Sequence, residues 1–430
     1  MTRIEWVRGD SLGLDIPADS EALRAGGAAF LTNAFRAAGS LPHDNRVVGI
    51  TEFEEVFGGS TGRKLLLSVA YEKPAPDLHT DLFVKFSRDF DNPTRDQTKS
   101  QMELEVLFAL LSHSPTFPIA VPVCYFSDYH HESGTGILIT QRIAYNTDGI
   151  EPHYPKCLDY QMPDQLGHYR ALITALARLA GTHKAGRLPD SVEKYFPFDP
   201  SKLVVSMRAP YSPEQISARV ATYIQFATKY PQLLPDNIRS AEFLARFSNE
   251  APRFQKVAEA GKKILQSKRD MIALCHWNAH IDNAWFWRNS KSEVECGLRD
   301  WGNVSQMNVS MAIWGCLSGA EISLWNHHLD ELLTLFVTEF KNSGGPTLEL
   351  AELKLHLAIY VAMMGLNWML DVPQFVQSRI PDLEKAESHL NARIQDDERA
   401  RAQLLIMTAF LNRWEKENMI EVIRSMERFA

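Results

Sequence analysis

Apolar and polar positions alternate over several short stretches between residues 47 and 143, which is the pattern of strands with one buried face. Asp81–Phe86, for example, has the sequence D-L-F-V-K-F, in which a lysine stands near the end of an apolar strand. Residues 95–111 have the spacing of a helix instead. These patterns together predict a small sheet with one helix packed against it. The predicted strands are Val47–Val56, Leu65–Tyr71, Asp81–Phe86, Cys124–Ser127 and Gly136–Ile143.

Helical spacing flanks this sheet region on both sides. Before it, Leu23, Phe30 and Leu31 share one face of a predicted helix, which Gly39 ends. After it, residues 146–166 are polar and contain three prolines, as in a linker between domains. The rest of the chain is mostly helical. The clearest predicted helices are Tyr169–Gly181, Pro210–Tyr230 and Asp236–Gln266.

Strands return around one polar loop in the second half of the chain. We predict a helical N-terminal extension (1–45), a β-rich domain (46–145) and a larger, mainly helical domain (146–430). The fold class is therefore predicted to be α+β. The strands predicted around the polar loop are Met271–Cys275, Ala284–Trp287 and Val294–Arg299.

Composition narrows the class of protein without identifying it. A chain of 430 residues is long enough for two domains with cores of their own. Hydrophobic residues make up 45% and charged residues 23%, which is ordinary for a globular protein. The net charge is −8 and no long basic stripe is present, so nucleic acid is not expected as a partner.

Cysteine usage and the N-terminal residues predict a cytoplasmic location. The five cysteines are odd in number and show no C-x-x-C spacing, which fits a reducing compartment. The first ten residues, M-T-R-I-E-W-V-R-G-D, contain no apolar core of a signal peptide. No run is expected to reach the roughly 18–20 apolar residues that a membrane span needs.

Two motifs in the second half carry the chemistry. Leu274–Asn283 has the sequence L-C-H-W-N-A-H-I-D-N, and Leu298–Gly302 has L-R-D-W-G. They resemble the catalytic and metal-binding loops of the aminoglycoside phosphotransferase and choline kinase-like families, which carry H-G-D-x-H-x-G-N and then a strand ending in I-D-W. His276, His280 and Asn283 fall in the family's places. The resemblance implies a bilobal protein-kinase-like fold that binds ATP and magnesium and phosphorylates a small-molecule hydroxyl acceptor.

The resemblance also implies roles for residues of these loops. Asn283 and Asp300 match the family's magnesium ligands, and His276 opens the catalytic loop. Asn278 stands where the family has its catalytic aspartate. An amide cannot accept a proton at neutral pH, although it can orient a hydroxyl group. Asp282, just before the metal asparagine, is an alternative carboxylate for the base or the metal.

In the β-rich domain, the resemblance implies that Lys85 contacts nucleotide phosphates and pairs with a glutamate of the next helix. We choose Glu103, because it shares a face with leucines four and seven positions further on, and keep Glu105 as the alternative. The segment F-G-G-S-T-G-R, Phe57–Arg63, contains glycines that let backbone amides approach phosphate closely. Its predicted binding residues are Gly58, Gly59, Ser60 and Gly62.

Other interpretations of these residues remain open. His276 and His280 are four apart, as in a zinc pair on a helix, but the zinc-protease pattern needs a glutamate where Trp277 stands. Because Asn278 replaces the aspartate, the predicted phosphotransferase is slow or altered. The alternative is a nucleotide-binding pseudokinase with a regulatory or scaffolding role. A kinase-like fold that catalyses another transfer, such as adenylylation, is a third hypothesis.

Overall fold

The structure is a computed structural model that describes residues 5–114, 116–200 and 210–429. The chain divides into two compact units. The first contains the described residues of Met1–Ile150 together with Leu188–Tyr195 and Gly297–Val304. The second contains those of Glu151–Arg187, Phe196–Cys296 and Ser305–Ala430. Whereas the predicted domains are continuous in sequence, the first unit is built from three separate segments.

Residues 46–145 form five strands with helical structure between the third and the fourth, as predicted. The order β-β-β-α-β-β is confirmed, and each of these strands overlaps its predicted range. The elements are β1 (Trp6–Arg8), β2 (Asp15–Pro17), α1 (Ser20–Ala37), β3 (Val47–Val56), β4 (Lys64–Tyr71), β5 (Asp81–Phe86), α2 (Pro93–Asp96), α3 (Gln101–Ser112), β6 (Cys124–His130) and β7 (Thr135–Gln141).

One antiparallel sheet of five strands, in the order β3-β4-β5-β7-β6, organises the first unit. Side chains alternate between the two faces of a strand, so Leu65, Leu67 and Val69 of β4 share the buried face. They belong to one apolar cluster with Val84 of β5 and Phe35 of α1. The burial of this face fixes the register of the strands, because a slip by one residue would expose it.

The helix predicted for residues 95–111 is broken into two. Asn92 caps α2 by accepting a hydrogen bond from the Arg95 amide at 3.3 Å, and α2 ends at Asp96. After a turn at residues 97–100, α3 begins at Gln101. The break lets Thr98 Oγ1 donate to the Ser60 carbonyl at 3.1 Å, which ties this turn to the glycine-rich segment.

The remainder of the chain is mainly helical, and the strands predicted around the polar loop are confirmed. Asp236–Gln266, predicted as one helix, forms three. The first break lies at Ser240, which caps a new helix by accepting from the Phe243 amide, and the second lies at Val257. The short helix Ser191–Tyr195 belongs to the first unit. The elements are α4 (Gln165–Lys184), α5 (Ser191–Tyr195), α6 (Pro213–Lys229), α7 (Asp236–Arg239), α8 (Ala241–Lys256), α9 (Ala258–Ser267), β8 (Ile272–His276), β9 (Ala284–Arg288), β10 (Val294–Leu298), β11 (Val304–Asn308), α10 (Val309–Leu317), α11 (Ile322–Asn342), α12 (Leu350–Trp368), α13 (Val372–Arg379), α14 (Ala392–Gln395), α15 (Glu398–Lys416) and α16 (Met419–Phe429).

One stretch corrects the expectation about membrane spans. Among the described residues, Leu350–Arg379 is long and apolar enough to cross a membrane by length and composition. However, 83% of its most apolar window is buried inside the protein. An all-round apolar helix that is covered by other helices is what the core of a large soluble protein contains.

Candidate functional site

A buried lysine with two carboxylates lies in the first unit. Lys85, on β5, is only 7% exposed, and its ammonium donates hydrogen bonds to Glu105 and, at 3.0 Å, to Asp300. Burial acts to lower the pKa of Lys85, but the two carboxylates outweigh it and raise that pKa above its usual value. Burial raises the pKa of Glu105 to about 7, with Lys85 opposing the shift and Asp300 adding to it. The two carboxylates thus share one ammonium.

The prediction that Lys85 pairs with Glu103 is wrong. Glu103 lies on the outer face of α3 and contacts the ring of His131 at 2.9 Å. From Leu104 to Leu111 this helix is apolar on nearly all sides apart from Glu105, so the two leucines chosen as markers of the buried face were not informative. The side chains of α3 that are buried are Met102, Glu105, Val106, Phe108, Ala109 and Leu111.

Asp300 stands in a strained turn that is held by its neighbour. Its φ of 65° lies in the left-handed region, where a residue other than glycine costs about 1 kcal/mol or more. The Trp301 ring stacks on Phe108 with centroids 3.6 Å apart, and its Nε1 donates to the Leu298 carbonyl at 3.1 Å. These contacts fix the turn, and strain of this kind is concentrated at functional sites.

The predicted phosphate-binding segment is the turn between β3 and β4. Gly58, Gly59 and Gly62 all have positive φ angles. At Gly62 a β-carbon would lie 1.7 Å from the Phe86 carbonyl oxygen, so only glycine permits this approach to β5. The turn is therefore packed against the strand that carries Lys85.

Two basic side chains that the sequence analysis did not assign hold this turn. Lys64 Nζ donates to the carbonyls of Gly58 and Thr61 at 2.9 and 3.0 Å. Arg95 donates to the Gly58 carbonyl at 3.2 Å and to that of Gly62. The signal for Lys64 lay in the alternation of β4 and β5, which places it on the face that carries Lys85.

The catalytic-type loop lies in the second unit, between β8 and β9. His276 is fully buried, and its Nδ1 accepts a hydrogen bond from the Asn278 amide at 3.1 Å. The Asn283 side chain donates from Nδ2 to the Asn278 carbonyl at 2.9 Å. The structure thus brings together His276, Asn278 and Asn283. His280 is also buried, and burial holds its pKa well below the usual value.

Two further contacts shape this loop. The Trp277 indole donates to the Tyr360 hydroxyl at 2.8 Å, which fixes the residue before Asn278. The carbonyl of Asp282 is bonded to the His153 ring at 3.1 Å. The loop is therefore held from α12 and from the segment that precedes α4.

The geometry of the loop argues against a zinc pair formed by His276 and His280. His276 ends a strand, not a helix, which removes the geometry of a helical zinc pair. Within the described residues, no group of three or more His, Cys, Asp and Glu side chains is arranged to hold a metal ion. Asn283 and Asp300 each present a hard oxygen donor, the type of ligand that magnesium takes from proteins.

All five cysteines lie in the described part of the chain and are buried free thiols. Burial raises the pKa of the Cys124 and Cys296 thiols to about 12. A thiol with so high a pKa is a poor nucleophile. Cysteine chemistry therefore has no support in this structure.

The fold prediction, with a β-rich N-terminal region before a larger helical one, is confirmed, and solved structures with similar chains are small-molecule kinases. A spectinomycin phosphotransferase in complex with ADP and spectinomycin is 14% identical, with 89% of this chain and 94% of that chain covered and a TM-score of 0.37. A choline/ethanolamine kinase family protein from Mesorhizobium loti is 14% identical, with coverages of 93% and 99% and a TM-score of 0.38. An ethanolamine kinase from Plasmodium vivax is 14% identical, with coverages of 84% and 81% and a TM-score of 0.41.

These proteins are of the same class that the sequence motifs resemble. No protein-family profile and no curated protein sequence matches the chain. At 14% identity and TM-scores below 0.5, the similarities carry no argument about reaction or substrate. The activity has to be argued from the residues of this chain.

Proposed function

We propose that the protein is an ATP- and magnesium-dependent phosphotransferase that acts on the hydroxyl group of a small molecule. The buried Lys85, bonded to Glu105 and Asp300, is the observation that supports this most. Burying an ammonium costs several kcal/mol unless partners compensate it, and strongly perturbed titratable groups are concentrated at functional sites. Phosphoryl transfer needs this combination of a cation for phosphate oxygens and a carboxylate for the metal.

In this proposal Lys85 binds the phosphate groups of ATP, and Glu105 takes the orienting role that was predicted for Glu103. The glycine-rich turn, with Gly58, Gly59, Ser60 and Gly62, would lie along the phosphate groups. Asn283 and Asp300 would hold magnesium, which neutralises charge on the phosphate oxygens when it is bound. The cytoplasm, where ATP and magnesium are abundant, is the proposed location.

The acceptor hydroxyl would be oriented by Asn278. His276 fixes the Asn278 amide, and Asn283 fixes its carbonyl, so the backbone of this residue is held from both sides. Phosphoryl transfer passes through a loose transition state, in which positioning and charge stabilisation contribute more than proton removal. The hydroxyl proton would leave to water or to the Asp282 carboxylate.

The second candidate function is that of a nucleotide-binding pseudokinase with a regulatory or scaffolding role. Asn278 favours it, because an amide cannot act as a general base at neutral pH. Both candidates share nucleotide binding and differ only in turnover.

Nucleotide binding is tested by the thermal stability of the full chain with ATP, ADP or GTP, with and without magnesium. A ligand at a hundredfold excess over its Kd adds about 2.7 kcal/mol to the unfolding free energy. Asp300→Asn removes the charge and keeps a residue that tolerates the left-handed backbone. This variant should lose the part of the nucleotide stabilisation that depends on magnesium. If no nucleotide stabilises the protein at millimolar concentration, both candidate functions are excluded.

Turnover separates the two candidates. Asn278→Asp should raise the rate of ATP consumption by up to about 10²–10⁴-fold if a base is what the enzyme lacks. If Asp282 is the base, Asn278→Asp should change little and Asp282→Asn should stop the reaction. A pseudokinase should remain inactive in all three forms, and a fast wild-type enzyme slowed by Asn278→Asp would contradict the idea of a missing base.

A further inference from the structure

Three cations meet at one end of the sheet of the first unit. In the antiparallel pairing of β4 with β5, Lys64 is directly opposite Lys85. Residues opposite each other in such a pair carry their side chains on the same face, and like charges there are destabilising. Arg95 of α2 reaches the same turn from the side. Glu105 and Asp300 offset part of this repulsion, and a bound anion would offset more of it.

The charge that lacks compensation is that of Lys64. Lys85 has Glu105 and Asp300, Arg63 has Asp89 and two further carboxylates, and Arg95 is 3.2 Å from Asp89. Lys64 instead donates to two backbone carbonyls, and in the described part of the chain no carboxylate lies within 4.0 Å of it. Burial, followed by the charges of Lys85 and Arg95, lowers the pKa of Lys64 to about 8, and the charges of Asp300 and Glu105 only partly oppose this shift.

Space for an anion is present beside this ammonium. A cavity of about 220 Å³ is bordered by Lys64, Arg63 and Arg95, and also by the carboxylates Glu55, Asp89 and Asp91. At Gly59 a β-carbon would lie 2.7 Å from Lys64 Nζ, so the glycine makes room for the ammonium under the turn. The three carboxylates are engaged by Arg63 and Arg95, which leaves Lys64 as the cation of this cavity without an ion-pair partner among the described residues.

We infer that Lys64 is a second phosphate-binding residue, which exchanges its bonds to the turn for bonds to the phosphate groups of the nucleotide. The inference rests on the proposed function and adds a preference for the number of phosphate groups in the nucleotide. Two opposed ammonium groups match at least two phosphate groups, so the ligand is a nucleoside diphosphate or triphosphate in preference to a monophosphate. The turn is then released by its ligand and held when the site has none.

Calorimetric binding of ADP, AMP and inorganic tripolyphosphate to the full chain tests this. Lys64→Met should weaken ADP and tripolyphosphate binding by about tenfold to a hundredfold, as for the loss of a hydrogen bond to a charged group. AMP binding should change by less than about threefold. Lys64→Arg should retain most of the ADP affinity. The matched control is Lys73→Met, since Lys73 is an exposed lysine paired with Asp44, and it should bind as the wild type does.

A structural role for Lys64 predicts a different result. If the lysine mainly holds the turn, Lys64→Met should lower the melting temperature and weaken AMP and ADP alike. If it is a binding residue, Lys64→Met should weaken ADP binding at least tenfold more than AMP binding, whatever the change in melting temperature. Equal ADP affinity in wild type and Lys64→Met overturns the inference and leaves the proposed function intact.

The tripolyphosphate measurement distinguishes failure of the inference about Lys64 from failure of the proposed function. Binding that depends on Lys64, without binding of any nucleotide, would support the phosphate-binding role and exclude the proposed function. A wild-type protein that binds neither ADP nor tripolyphosphate would overturn both.

Discussion

At the scale of single residues, the buried ammonium of Lys85 needs carboxylate partners, which are Glu105 and Asp300. The alternation of β5 placed a lysine in an apolar strand, and this was visible in the sequence. Its partner Glu105 could not be identified from the sequence, because α3 is apolar on almost all sides. Which side of α3 faces the sheet depends on the break after α2. Asp300 was visible from the resemblance, whereas its left-handed backbone and its contact with Lys85 depend on long-range packing.

Replacing each glutamate of α3 in turn should distinguish their roles. At pH 8 the Glu105 carboxyl, whose pKa is raised to about 7, is ionised. Glu105→Gln should then lower the unfolding free energy by about 1–3 kcal/mol, because a buried charged hydrogen bond is lost while Asp300 still contacts the lysine. Glu103→Gln, at an exposed pair, should change it by less than about 0.5 kcal/mol. Urea denaturation of both variants measures this, and equal losses would contradict the assignment.

At the scale of elements, the strands were predictable because a period of two and a buried face define them together. Helix boundaries were less predictable, since they depend on single capping residues such as Ser240 and Asn92. The start of α10 shows a cap that also joins distant elements. Asn308 accepts from the Ser310 amide at 3.1 Å, and its Nδ2 donates to the ring of His356 on α12 at 2.9 Å.

This junction between α10 and α12 should make stability depend on pH. Burial lowers the pKa of His356 to about 4, so the ring is neutral at pH 7 and its Nδ1 can accept from Asn308. A depressed histidine pKa means that the unfolded chain binds the proton more tightly. The stabilisation that the neutral His356 ring provides is therefore complete above about pH 6.5 and is lost as the pH falls toward 4.

The loss should amount to about 2 kcal/mol between pH 7 and pH 5. The measurement is urea denaturation of wild type and His356→Gln at both values, because glutamine can accept from Asn308 but does not titrate. The difference in unfolding free energy between the two proteins should shrink by that amount at pH 5. A difference that stays constant with pH would remove His356 from the explanation.

At the scale of the whole molecule, the first unit is not a continuous stretch of chain. Its sheet ends near residue 141, yet Asp300 and Trp301 reach it from Gly297–Val304. The sequence indicated two domains and their types of secondary structure. It did not indicate that a segment after residue 296 belongs to the first, because such membership depends on contacts such as Trp301 with Phe108.

A fragment of residues 1–150 should therefore be incomplete. It lacks the indole that covers Phe108 and one of the two carboxylates on Lys85. We expect it to bind a hydrophobic dye and to form aggregates, since newly exposed apolar surface promotes association. The same fragment with residues 297–304 joined through a flexible linker is the control and should show less of both. A monomeric 1–150 fragment with a sharp unfolding transition would contradict this expectation.

The late arrival of Gly297–Val304 also has a consequence for synthesis on the ribosome. Translation proceeds at about 5–20 residues per second, so roughly 8–30 s pass between the emergence of residue 150 and that of residue 304. During this interval the nascent sheet lacks Asp300 and leaves Phe108 without its indole. The nascent chain therefore offers an apolar site to chaperones in that window, and a stalled chain that ends before residue 297 should be retained by them.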